Sequence, residues 1–230
     1  ERSRGLGDVY KRQQHGARLV FENAKSLVSN AGFNVNQAVL SQSYIRSEVA
    51  MSTTVTNYHI PVLVNDSQNG SAFLTENRLN LQDAFVISSI GIFVAKPAAS
   101  TTTAFPLYTY PNASAFSTSG AADALYNLYN GQMNVVVNNR QIVPSWDLYR
   151  HLYAPQTQQG AASTATTIDQ NDASEFGYYP CEPNIVLVGS KNNQISLQLP
   201  AAIGTLQAST APRIVVIFRG ILAQNVTPVR

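Results

Sequence analysis

Three histidines, one cysteine and one cluster of carboxylates are the residues of this 230-residue chain whose types could do chemistry. His15, His59 and His151 are far apart in the sequence, and no HExxH, CxxC, GxSxG, P-loop or GxGxxG pattern accompanies them. A zinc site would need ligands that this chain does not cluster locally. Cys181 stands in Pro180-Cys181-Glu182-Pro183. A reactive thiolate needs a neighbouring base or cation, and the flanking residues supply none, so a small half-buried side chain in a rigid turn is expected. As the lone cysteine it cannot form an internal disulfide. Asp169, Asp172 and Glu175, with Asn171 between them, carry the hard oxygen ligands that suit Ca²⁺. The spacing is not that of an EF-hand, however, and the turn glycine is missing. A solvated loop in which Asp172 caps a turn is the expected form, and calcium binding stays open. Nothing selects a carboxylate pair for glycoside hydrolysis. His151 falls on a predicted helix with Trp146 and Tyr149, where packing at a surface or interface is expected over catalysis. No residue is therefore expected to be catalytic, cofactor-binding or metal-ligating, and a non-enzymatic protein without a cofactor is expected.

Composition points the same way. Asp, Glu, Lys and Arg make up 12% of the chain, about half the usual share. Polar character comes from Asn, Gln, Ser and Thr set among β-branched and aromatic residues. Such a chain is better suited to making surface than to making chemistry. The first thirteen residues resemble translated sequencing-adapter read-through, from Arg2-Ser3-Arg4-Gly5 to Lys11-Arg12-Gln13, and are set aside as a non-native segment. With their four basic and two acidic residues removed, eleven of each sign remain. The basic excess then disappears, and with it the argument for nucleic acid. Read as native, the segment would be a short basic arm. No run of eighteen apolar residues occurs, so no membrane-spanning helix is expected.

The elements that must carry this surface are mostly strands. Residues 17–30 and 36–51 allow short helices, the second from the spacing of Val39, Leu40, Tyr44 and Ile45. Together they suggest a helical N-terminal arm over 14–52, followed by one domain over 53–230. Tyr58, Ile60, Val62 and Val64 alternate as in a half-buried strand, with His59 pointing the other way, and Pro61 places that strand at an edge or bulge. Residues 79–96 read as a strand buried on both faces. By parity Ala84, Val86, Ile90, Ile92 and Val94 share one face, with Phe85, Ile87 and Phe93 on the other. Residues 97–119 form a loop in which Phe105, Tyr108, Tyr110 and Phe116 must pack on something. A helix over 120–130 is expected to stop at Gly131. A hairpin over 132–143 turns at Asn138-Asn139. A short helix over 146–153 would be capped by Ser145. Residues 155–177 form a second long loop. A second hairpin is expected over 184–199, around Lys191-Asn192-Asn193. Residues 213–223 are the most strand-like stretch of all. The Asn-x-Ser/Thr sequons at Asn65, Asn69, Asn112 and Asn225 are chance occurrences in a chain of this composition. Seven or eight strands with few helices make the chain mainly β, an antiparallel β-sandwich.

The Asn-capped turns after Val137 and Ser190, the long two-faced strands 84–94 and 213–223, and the N-terminal arm carry a resemblance. The chain resembles bacteriophage virion proteins, similar to the jelly-roll capsid proteins of icosahedral viruses, over most of residues 17–230. The resemblance implies a jelly-roll sandwich located in the virion. Its partners would be copies of itself and other virion proteins, with no small-molecule substrate and with nucleic-acid contact left open. In such a family an arm or loop reaches a neighbouring subunit, which residues 17–51 or 97–119 could do. The near-zero charge departs from capsids that line a genome with basic residues. The alternative is a secreted adhesin or carbohydrate-binding sandwich whose exposed Tyr and Trp stack on sugars.

Overall fold

The computed structural model describes residues 18–60, 62, 79–95, 107–109, 125–153, 177–203 and 212–228. The expectations for residues 1–17, the turn at 66–70, most of the loops 97–119 and 155–177, and the sequons at Asn65, Asn69 and Asn112 lie outside them.

Strand β2 (Val39–Ala50) corrects the second predicted helix. Its apolar spacing fits a helix, but the structure uses period two. Ile45 is buried in the central core and Val49 packs against it, with buried Ser47 between them in the alternation. All twelve residues pair antiparallel with β10 (Arg213–Gln224), and that ladder outweighs local spacing. The first predicted helix does form. Helix α1, over residues 18–30, lays Phe21, Ala24, Leu27 and Val28 on the sheet at i, i+3 and i+4 spacing.

Strand β4 (Ala84–Ala95) pairs with β10 on one side. On its other side it pairs with β8 (Tyr178–Val188), and further along with β5 (Leu107–Tyr108). These five strands form the first sheet. The second runs β3 (Asn57–Ile60), β9 (Asn193–Gln198), β6 (Gln132–Val137), β7 (Arg140–Asp147). All pairings are antiparallel. A small ribbon of β1 (Phe33–Asn34) and β11 (Thr227–Pro228) completes the described strands. The two large sheets share one core. Phe85, Ile90, Ile92 and Phe218 from the first meet Ile60, Met133, Val135 and Leu197 from the second. The chain is thus mainly β, built of two antiparallel sheets packed face to face.

β4 is buried on both faces, as its sequence implies, but its parity is not continuous. The register slips between Ile87 and Ser89. That bulge moves Phe85 and Ile87 onto the same face as Ile90, Ile92 and Val94, all in the central core, while Ala84, Val86, Phe93 and Ala95 face outward. The partner strand accommodates it at Gly220, where a Cβ would overlap the Val86 carbonyl.

The Asn138-Asn139 hairpin forms as read, with both residues at positive φ (53° and 62°), the backbone of a type I′ turn. The second expected hairpin does not. β8 and β9 follow one another but lie in different sheets, so residues 189–192 form a corner between layers. Asn193 holds it, its side-chain amide donating to the Val188 and Lys191 carbonyls. Two smaller expectations also change. Of the predicted helix 120–130, residues 120–124 lie outside the described residues and the remainder forms helix α2 (Tyr126–Tyr129), but Gly131 after it is not left-handed. It is small because a Cβ would lie 2.7 Å from the Gln198 carbonyl oxygen. The segment after Pro144 stays in β7 to Asp147 and then makes only a 3₁₀ turn, Tyr149–His151. Its N-cap is Leu148, which makes no side-chain cap bond; Asp147 before it accepts from the Tyr149 N–H, while Ser145 donates to Gln132.

Candidate functional site

Two polar constellations stand out. One lies where β7, the 3₁₀ turn and the start of β8 meet. His151 is fully buried there. The indole Nε1–H of Trp146 has only a proton to give, and it donates to His151 Nε2 at 2.9 Å. Nε2 must therefore be unprotonated, and the ring proton sits on Nδ1, 3.1 Å from the Gly177 carbonyl that accepts it. Burial holds the imidazole pKa down to about 4, a shift that Arg150 reinforces and that Gly177 and Asp147 oppose. The Arg150 guanidinium lies 4.5 Å from the Trp146 ring centre and 4.7 Å from that of Tyr179. Trp146, 8% exposed, cannot serve as a platform for a sugar. His151 belongs to a packed network in which both ring nitrogens are satisfied, and among the described residues no nucleophile or carboxylate hydrogen-bonds to it.

The second constellation lies on the outer face of the first sheet. Glu48 on β2 is buried and takes Arg46 on one oxygen (2.6 Å) and Arg213 on the other (3.2 Å). Beside this triad Arg219 stacks 3.7 Å from the Tyr178 ring centre, and Tyr178 meets Phe93 edge to face at 5.4 Å. Burial raises the Tyr178 phenol pKa, and the nearby Arg219 and Arg46 charges act against that rise. Both cations thus stand close to one phenol. They border a pocket of ≈ 640 Å³ between α1 and the outward aromatic cluster. Ser88 and Ser89 at the bulge and Gly220 opposite them are part of its lining, with the Ser88 hydroxyl tied to the Arg219 carbonyl.

The remaining expected positions fall out as follows. His59 is exposed and faces away from the core, as read. Cys181 is more buried than expected, in strand β8 rather than in a turn, and burial raises its thiol pKa, which makes it inert. Tyr108 packs in the central core. Asp169, Asp172, Glu175 and His15 lie outside the described residues. Among the described residues no group of three His, Cys, Asp or Glu side chains converges on a metal-sized space, and no helix is long and apolar enough to cross a membrane. The sequence reading missed the Arg46–Glu48–Arg213 triad. The i, i+2 spacing of Arg46 and Glu48 would have signalled it had residues 36–51 been read as a strand. Comparison with protein-family models, curated proteins and solved structures found no match.

Proposed function

We propose that this chain is a structural virion protein that assembles with copies of itself through a jelly-roll sandwich. The observation that carries the reading is the strand order. Set apart the short β1, β5 and β11, and the eight remaining strands pair first with last (β2 with β10), second with seventh (β3 with β9), third with sixth (β4 with β8) and fourth with fifth (β6 with β7). That is one long antiparallel ribbon folded back on itself. The cross-pairings β10 with β4 and β6 with β9 wrap it into two sheets. The order β2-β10-β4-β8 over β3-β9-β6-β7 supports the reading as a jelly roll, an architecture shared by capsid and lectin domains. The scarcity of charge then favours the capsid use, because neutral flanks lose little solvation when copies meet. Exposed Val39, Tyr44, Ile142 and Tyr149 lie on or beside the edge strands β2 and β7. Edge strands with apolar side chains are natural sites of lateral contact. Light scattering over a concentration series of the full chain, with electron microscopy of the largest species, tests this reading. Closed or sheet-like assemblies are expected. A monomer at every concentration sinks it.

A further inference from the structure

We propose that the pocket on the outer face of the first sheet binds a small hydroxylated carboxylate, the chemistry of an acidic sugar. The site is built from β2, β4, β8 and β10, with Val20 of α1 at its rim. Its ≈ 640 Å³ sits within the usual range for small-molecule pockets, roughly 300–1,000 Å³. Three features choose the ligand class. The first is Arg46. Its Nε and Nη2 both donate to a single Glu48 oxygen, which orients the guanidinium, and Nη1 makes no hydrogen bond within the described residues. A guanidinium fixed on one side and open on the other presents a planar fork suited to a carboxylate. The second is the aromatic wall. Tyr44, 51% exposed and two residues from Arg46 on the same strand face, offers a ring surface to the C–H face of a pyranose. The third is the neutral polar set. Gln42, Ser43 and Ser89 line the pocket and can exchange hydrogen bonds with hydroxyls. The apolar lining of Ile217 and Ile221 favours a ligand with a carbon body over a bare inorganic anion.

Binding of this kind is a property of the single chain and is measured at concentrations below assembly, because Tyr44 is also an edge-strand contact in the assembly proposed above. Titration by ligand-observed NMR with glucuronate, N-acetylneuraminate, glucose and inorganic phosphate tests it on the full chain. The acidic sugars should bind at least about tenfold more tightly than glucose, the difference that one charge-assisted contact supplies. Phosphate should not displace them. Tyr44→Ala should weaken the acidic sugars about fivefold or more without changing the melting temperature, since the side chain is exposed. Arg46→Lys keeps a cation beside Glu48 but removes the fork, and should bring acidic sugars down to the level of glucose. Equal binding of acidic and neutral sugars, displacement by phosphate, or full affinity in Tyr44→Ala would each overturn the assignment. So would an absence of saturable binding by any of the sugars.

Discussion

His151 shows how much one buried side chain can decide. Neutral, it accepts from Trp146 and donates to Gly177, and both ring nitrogens are satisfied. Protonated, it would set an N–H against the indole N–H, two donors with no acceptor between them. Its pKa lies near 4 in the folded chain against an ordinary 6.5. Between these values the unfolded chain binds a proton here that the folded chain does not. The folded state is therefore fully favoured above about 6.5, and loses up to about 3 kcal/mol as the pH falls toward 4. The chain has a single tryptophan, so its emission reports this one contact. Denaturant titrations followed by Trp146 fluorescence should give a lower midpoint at pH 5 than at pH 7. His151→Gln should flatten that difference, and an unchanged slope in the variant would place the acid sensitivity elsewhere.

At the scale of the element, the bulge in β4 and the glycine opposite it act as one unit. Gly220→Ala would push a methyl group into the Val86 carbonyl on the neighbouring strand. A loss of about 2 kcal/mol or more is expected from such overpacking, read as a lower denaturant midpoint. A midpoint within error of the parent would mean the strands can part there freely. The β6–β7 turn predicts the opposite sign. Asn139 already holds φ of 62°, and Asn139→Gly should stabilise by a few tenths of a kcal/mol to about 1 kcal/mol, because glycine enters that region without strain. A fall in melting temperature would argue against the turn type. These elements also mark what a sequence can express. Strand 213–223, the Asn138-Asn139 turn and the double-sided burial of β4 were legible because each is a local signal. The helical spacing of Val39, Leu40, Tyr44 and Ile45 misled because the ladder to β10 is a long-range contact. The face exchange at Ser88 needs a bulge that no alternation reveals. The corner between β8 and β9 looked like a hairpin because its turn residues are those of one. Of the candidate pocket almost nothing was legible, since Arg46, Tyr178 and Arg219 come together only across strands far apart in the chain.

For the whole molecule, the absence of net charge beyond the first thirteen residues predicts how copies should meet. Association driven by apolar and neutral polar surface should change little when salt rises from about 0.1 M to about 1 M, which shortens the screening length from ~10 Å to ~3 Å. A strong loss of sedimenting species over that range would instead point to charged contacts, with the segment over residues 1–13 as the first suspect. The position of β10 carries a consequence of another kind. The last long strand of the chain lies in the middle of the first sheet, between β2 and β4. Until β10 has left the ribosome, β2 has no partner in the sheet and β4 has β8 and β5 on one side only, and loops of well over a hundred residues must close when β10 arrives. Topologies dominated by such distant pairings fold slowly. Synthesis itself thus acts as a timer. The nascent chain cannot complete the first sheet before β10 emerges, so the face that β2 and β10 share comes into being only after every other strand of the two large sheets has been made.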